Sequence, residues 1–524
     1  MTEEREWKAR TGSLPSPHGS DYSHHLSLFG PHPDHASRPL HPPGGLTVAA
    51  PAPPRSRTLV LVVVLLGIFM AVMDGIVVSI ALPTITAFYG VDVAQSQWVI
   101  TAYLMTVTAL FLVFGRVAEW FGKSRLFLAG MALFTLASFG CASAPNLPVL
   151  IGMRVLQAIG ASAAFAISAA IIYGIFPRGE HGRAMGAVAA TVSVAGLAAP
   201  ALGGFLTQLF GWEYIFLINI PAGIALLAVG WRVMDLHEPR HPSLSMDWTG
   251  ALTLMAGIVA FMLCLEEFTA GIRLSAPLVL LGLTALGAFT LFVRTERRHA
   301  RPLMDFSLLW DPRFGIPLAS CLLFFTALFV FNICGPFYFE GVMGLSPAEV
   351  GGIFMIVPAI TVVASPLTGW LFDRRESPAY AAIGLALCTL ALLILAWGAV
   401  RQDFLLILAS LVLLAFGNAL FNSPNNTEIM RAAPVEKMGL ASSLTAMARN
   451  FGMALGVSVA GLLLTFQVSL AGTESGVASA DPALLAGAIS VVMLVAALTC
   501  GVGVAAQVLR WRILTRGPGG PEQA

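Results

Sequence analysis

What most constrains this 524-residue chain is a recurrent pattern: fourteen apolar stretches in succession, each near the length that crosses a bilayer as a helix. A hydrocarbon core about 30 Å thick takes about 20 apolar helical residues, within a range of about 17 to 25. The first six stretches are Leu59–Leu82, Trp98–Phe114, Leu126–Cys141, Leu147–Ile172, Ala184–Leu206 and Ile215–Val233. The polar segment DLHEPRHPSLSMD follows, then stretches at Thr249–Leu265 and Leu278–Val293, then RTERRHARP. The last six are Ile316–Phe337, Val350–Leu371, Ala379–Ala399, Phe404–Phe421, Leu440–Phe466 and Ala483–Val508. Only 11% of residues are charged, against roughly 25% in soluble domains. An all-α, multi-pass membrane protein is the predicted class.

Charge placement sets the orientation. With both termini cytoplasmic, only Arg273 and Arg401 of the 29 Lys+Arg fall in outside loops and only Arg154 and Arg449 deep within spans, leaving 25 on the inside or at the inner edge of a span. Retention of Lys and Arg on the cytoplasmic side is the expected bias. A net charge of +1 gives no basic field for nucleic acid, and no partner of that kind is expected. Residues 1–54 hold six of the ten histidines and ten prolines, with few aliphatics; this composition predicts a disordered cytoplasmic tail. The six cysteines all lie in apolar runs and show no metal-ligand spacing, so they read as small buried hydrophobes and no metal or cofactor is expected. No glycine-rich phosphate loop of the P-loop type occurs, and no nucleophile–base pair is visible, so no enzyme is expected.

Two loops repeat. GRVAEWFGKSR (Gly115–Arg125) follows the second span and GWLFDRRESP (Gly369–Pro378) follows the tenth. Each is a glycine, three residues, an acid and then basic residues, which predicts two related six-helix halves with two helices inserted between them. The expected division is a tail at 1–54, a first bundle at 55–240, inserted helices at 241–300, a second bundle at 301–512 and a tail at 513–524.

Polar groups inside the spans carry the chemistry. A charge at the bilayer centre costs about 2.5–3.5 kcal/mol on insertion scales, so it is kept for a partner or a task. Asp74 interrupts FMAVMDGIVVSIALPTI eight residues before Leu82, and Arg154 lies seven residues into the fourth span. They sit roughly 12 and 10 Å from the same membrane face, so pairing is expected if their helices adjoin. Burial favours the neutral carboxyl and a guanidinium favours the carboxylate; a group balanced between them can change protonation when its surroundings move. Asn219, Asn332, Asn418, Asn422, Arg449 and Asn450 are further polar groups in the spans; Asn219, Asn332, Asn422 and Arg449, with Tyr103 and Gln157, form the predicted substrate cavity. Pro200, Gly203 and Gly204 in VAGLAAPALGGFL read as close packing or a bend that differs between states. Glu266 and Glu267, ending the seventh span, are expected at a solvated rim.

These segments resemble the fourteen-spanner drug:proton antiporters of the major facilitator superfamily over Leu59 to Arg512. MDGIVVSIALP is similar to that family's first-helix motif, SQWVITAYLM to its second-helix start, and RVLQAIGA to the fourth-helix motif whose arginine is implicated in proton transfer. APALGG resembles the fifth-helix antiporter motif and GWEYIFLINIPAG the entry to the sixth helix; ASSLTAMARNFGMALG also fits. The resemblance implies a conformational gate at Gly115, Glu119, Gly122, Lys123, Arg125, Asp373 and Arg374. Glu119 and Trp120 stand where the loop motif usually has Asp and Arg, Ala199 replaces a glycine, and Ile76 and Ser79 replace Thr and Asn. The expected protein is a proton-coupled multidrug exporter of the inner membrane, a monomer meeting lipid, protons and small amphipathic substrates. An exporter dedicated to one metabolite, antibiotic or siderophore is the alternative, and a non-transporting membrane sensor a third reading.

Overall fold

The computed structural model describes residues 57–177, 180–236, 248–270, 275–298, 306–375, 377–434, 437–470 and 481–516. The expected N-terminal tail and most of the two polar segments around the inserted helices lie outside these residues. The helices are α1 (Arg57–Tyr89), α2 (Val93–Ser96), α3 (Trp98–Phe121), α4 (Lys123–Ala142), α5 (Leu147–Ile175), α6 (His181–Leu209), α7 (Tyr214–Leu217), α8 (Asn219–Val233), α9 (Trp248–Ala270) and α10 (Ala276–Glu296). They continue with α11 (Phe306–Trp310), α12 (Pro312–Gly341), α13 (Pro347–Phe354), α14 (Ile356–Arg375), α15 (Ala379–Arg401), α16 (Phe404–Ala432), α17 (Met438–Leu470) and α18 (Pro482–Arg516). Three spans begin as a short helix that runs into a longer one, α2–α3, α7–α8 and α13–α14, and the five-residue α11 is too short to cross, so fourteen spans result. Successive spans alternate in direction. The end where α1 begins is called here the near end, and the end where it finishes the far end.

Local chemistry fixes the turns. Asn146 caps α5 by accepting from the Val149 amide at 3.0 Å, with Pro148 in the first turn where no amide partner is needed. Ser346 and Glu349 form a capping box at α13. Gly122, at φ 90°, makes the abrupt joint between α3 and α4, a conformation that a Cβ would disfavour.

Helices α1 to α8 form one bundle and α12 to α18 the other. The third and fourth spans of each half cross on glycines. A Cβ on Gly130 of α4 would lie 2.8 Å from the Gly160 carbonyl of α5, and one on Gly417 of α16 would lie 2.9 Å from the Gly384 carbonyl of α15. Such small-residue crossings let backbones approach where lipid offers no hydrophobic drive to associate. The inserted hairpin α9–α10 docks through α9 onto α3 of the first half and α17 of the second. The outer surface is apolar, with Leu136, Trp231, Trp310, Leu405 and Leu498 all 70% or more exposed, as expected of a lipid-facing surface.

Contacts between the halves gather at the far end. There α13 packs on α6 and the far part of α17 on α2 and α3. A Cβ on Gly204 would meet Ala348 Cα at 3.0 Å, and one on Gly351 would meet Gly204 Cα at 3.3 Å. The Ala348 amide donates to Gln208 Oε1 at 3.2 Å across the same crossing.

Candidate functional site

Asp74, midway along α1, is fully buried. Its Oδ2 pairs with Arg154 Nη1 from α5, and its Oδ1 accepts from Gln157 Nε2 at 2.8 Å and from Asn219 Nδ2 of α8 at 3.0 Å. Arg154 also donates through Nη1 to Gln157 Oε1 at 2.7 Å and through Nε to the Val99 carbonyl of α3 at 2.9 Å. Gln157 donates on to Ser138 Oγ of α4 at 2.9 Å. The Tyr103 ring lies 4.1 Å from the guanidinium carbon, while its hydroxyl donates to the Ala71 carbonyl at 3.2 Å. One carboxylate thereby gathers α1, α3, α4, α5 and α8.

The spacing explains the convergence. Arg154 and Gln157 are three residues apart on α5, hence on one face, and Asn219 opens α8 at the depth where α5 carries them. Two sealed atoms of the cluster, Arg154 Nη2 and Asn219 Oδ1, have no protein partner, a cost of roughly 1–3 kcal/mol each unless something polar meets them. A titratable group held this way answers to the position of its neighbours: moving any of three helices changes what stabilises its charge.

Tyr103, Gln157 and Asn219, expected to line a substrate cavity, face Asp74 in this conformation. All three are sealed around Asp74 at 3% exposure or less, because depth in a span does not tell which way a side chain points. Asn332, Asn422 and Arg449 are half-buried. Asn422 donates to Asn418 Oδ1 at 3.0 Å and Asn332 to the Leu328 carbonyl at 2.9 Å. Glu266 is also not at a solvated rim. It is 5% exposed, and its carboxylate accepts from Gln97 Nε2 at 3.1 Å and from Ser458 Oγ of α17 at 2.7 Å. Nothing in the sequence marked Gln97 or Ser458 as its partners. Gly461 leaves the notch that the Gln97 amide fills.

Of the expected gate residues, Gly115, Gly122, Lys123 and Arg125 flank the α3–α4 joint at the near end, and the side chain of Glu119 is outside the described ones. Asp373 pairs with Arg431 of α16 at 3.4 Å, and Arg374 stacks 3.8 Å from the centre of the Trp370 ring. The Asp373 pair therefore closes within one half instead of bridging the two. Both partners are about half or more exposed, so the pair contributes little. Pro200, Gly203 and Gly204 sit at the α6 crossings. A Cβ on Gly203 would lie 2.9 Å from Val77 Cγ2, one helical turn beyond Asp74. Glu428 of α16 pairs with Arg510 of α18, and Asn425 accepts from Gln507 at 3.0 Å and donates to the Pro317 carbonyl at 3.1 Å; sequence reasoning missed this second buried polar cluster.

Residues 64–457 match the family model of the Major Facilitator Superfamily. The chain belongs to that superfamily. As a member it resembles the riboflavin transporter RibZ of Clostridioides difficile, 32% identical over 77% of this chain and 87% of the relative. It resembles the multidrug resistance protein Stp of Mycobacterium tuberculosis at 30% identity over 79% of this chain and 77% of Stp. The tetracenomycin C resistance and export protein of Streptomyces glaucescens is 28% identical over 78% of this chain and 76% of its own length. Among solved structures, a bacterial homologue of the human lysosomal transporter Spinster superposes with a TM-score of 0.65 at 15% identity, covering 88% of this chain and 99% of that one. These likenesses fit the two-bundle architecture and a multi-pass transporter of the drug-efflux type.

Proposed function

We propose that this superfamily member is a proton-coupled secondary exporter of small amphipathic compounds, with Asp74 as the coupling carboxylate and Arg154 as its counter-charge. The observation that carries the reading is the sealed Asp74–Arg154–Gln157–Asn219 cluster, a titratable group in the middle of a membrane span whose environment depends on several helices. The near end is assigned to the cytoplasm, with both termini inside, from the Lys and Arg bias. The halves are assigned to 55–240 and 301–512, with 241–300 as the inserted hairpin. The cross-half packing at the far end supports a conformation closed to the outside.

In the cycle, parting of the halves at the far end moves α6 away from α13. Because Gly203 of α6 rests on Val77, the movement reaches α1 beside Asp74. The carboxyl then takes a proton from outside. Return to the closed arrangement brings Arg154 back against it, which favours the carboxylate and drives the proton inward. Substrate moves outward in the opposite half-cycle.

Everted vesicles with an imposed pH gradient test the reading. Asp74→Asn keeps the shape and removes the titrating group, so uphill transport per folded carrier should fall to background, even after allowance for the lower melting midpoint expected when Arg154 loses its counter-charge. Undiminished uphill transport would remove Asp74 from the coupling role. A second reading, export of a single compound, is favoured by the relatives named for riboflavin and tetracenomycin C. Protection against several unrelated compounds supports the multidrug form, and protection against one supports the dedicated form.

A further inference from the structure

We propose that the transport pathway selects anionic amphipathic substrates through Arg449; this rests on the export reading and specifies its substrate class. Arg449 lies eleven residues into α17, roughly 16 Å from its near end. It is half-buried and has no hydrogen bond or ion pair to any described residue, and its nitrogens keep accessible surface. The group that faces it from α12 is the Cys321 thiol.

The carboxylates of the surrounding elements are spent or distant. Asp74 is sealed and paired with Arg154. Glu428 of α16, near the end of its helix, is taken by Arg510 of α18. Glu266 of α9 is held at the far end by Gln97 and Ser458, its neighbour Glu267 accepts from Ser275, and Glu340 closes the far end of α12. The remaining cations on these elements, Arg313, Arg431 and Arg512, lie near the near-end termini of their helices. Among the described residues, the middle of the molecule therefore carries one uncompensated charge, and it is positive.

A guanidinium presents a planar fork of donors that matches carboxylate, sulfonate or phosphate oxygens two at a time. Ala446 and Met453, three residues before it and four after, share its face of α17 and are half-buried. An acidic head with a flat apolar body fits this combination. A lipophilic cation would meet a like charge with no carboxylate to offset it.

Fluorescein and rhodamine 123 share a xanthene body and differ in charge, one an anion and the other a cation. Binding of each to the purified full-length chain in nanodiscs is measured without a gradient, and transport of each in vesicles with one. Fluorescein should bind more tightly than rhodamine 123, and Arg449→Gln should weaken fluorescein about tenfold or more. Arg449→Lys should keep the anion preference at reduced affinity, which separates loss of charge from loss of fold. Two cysteine-directed reagents, a negative and a positive methanethiosulfonate at a single cysteine placed at position 453, one turn along the same face of α17, read the local potential without any substrate. The negative reagent should react faster, and Arg449→Gln should reduce that ratio severalfold. Tighter binding of rhodamine 123, binding of neither dye, unchanged fluorescein affinity in Arg449→Gln or an unchanged reagent ratio overturns the proposal. Arg449-dependent fluorescein binding without gradient-driven movement sinks the export reading and leaves this assignment standing.

Discussion

Asp74 accepts from three side chains on two other helices, and each removal has its own consequence. Arg154→Ala leaves the carboxylate sealed without its counter-charge, which costs about 3–5 kcal/mol for a broken buried pair. A clearly lowered melting midpoint is expected, and adding Asp74→Asn should recover most of it, since a neutral amide needs no counter-charge. Equal destabilisation of the single and double variants would show that the two residues are not energetically coupled. Asp74 and Arg154 were legible as partners because helical rise converts sequence position into depth, and both fell at one depth. Gln157 and Asn219 were legible as polar groups inside spans but not as ligands of Asp74. Rise gives height along a helix, whereas the direction of a side chain is set by neighbours far away in sequence. Glu266 failed for the same reason: a pair of acids at a helix end reads as solvated until a glutamine and a serine from two other helices close over one of them.

The crossing of α6 and α13 is the element on which the far-end closure rests. Gly351→Ala would press a methyl group onto the Pro200 carbonyl, and overpacking of this kind costs about 1–3 kcal/mol. That corresponds to a shift in the closed-to-open ratio of roughly five- to 150-fold. The adjacent Gly352 has nothing within 4 Å of its built Cβ, so Gly352→Ala is the matched control. Thiol labelling at far-end positions should rise in Gly351→Ala and stay at wild-type level in Gly352→Ala; equal labelling in both would show that this crossing does not set the equilibrium. Half of the crossing was legible, since proline and two glycines in α6 announced a close approach. Its other half was not, because the glycine pair in AEVGGIF resembles any small-residue helix start until the partner helix is known. The loop acid Asp373 went the opposite way: the resemblance implied a conformational gate there, and the nearby Arg431 of its own half pairs with it.

At the scale of the whole molecule, the even number of spans followed from charge bias and the fourteen from length, both properties of the chain alone. What the inserted pair is for did not follow, since a hairpin between two halves reads as a spacer. Through Glu266 it is a clasp, hydrogen-bonded to one half at Gln97 and to the other at Ser458. Hydrogen bonds to charged groups contribute about 1.5–3 kcal/mol each, so Glu266→Ala should widen the far-end separation of spin labels on α3 and α17, whereas Glu266→Gln keeps one acceptor and should fall between. Unchanged distances in Glu266→Ala would reduce the hairpin to a tether. The same clasp gives the bilayer a handle on the cycle. Helix α10 packs chiefly on α9 and has few buried residues, so most of its remaining surface is left to lipid. Its 21 residues span roughly 32 Å, close to the hydrocarbon thickness of an ordinary membrane. A thinner or thicker bilayer must tilt this helix or deform around it, at a fraction of a kcal/mol per Å. The tilt passes through α9 to Glu266 and so to the contact between the halves. Turnover in vesicles of graded acyl-chain length should pass through a maximum near the matching thickness, and Glu266→Ala should flatten that dependence.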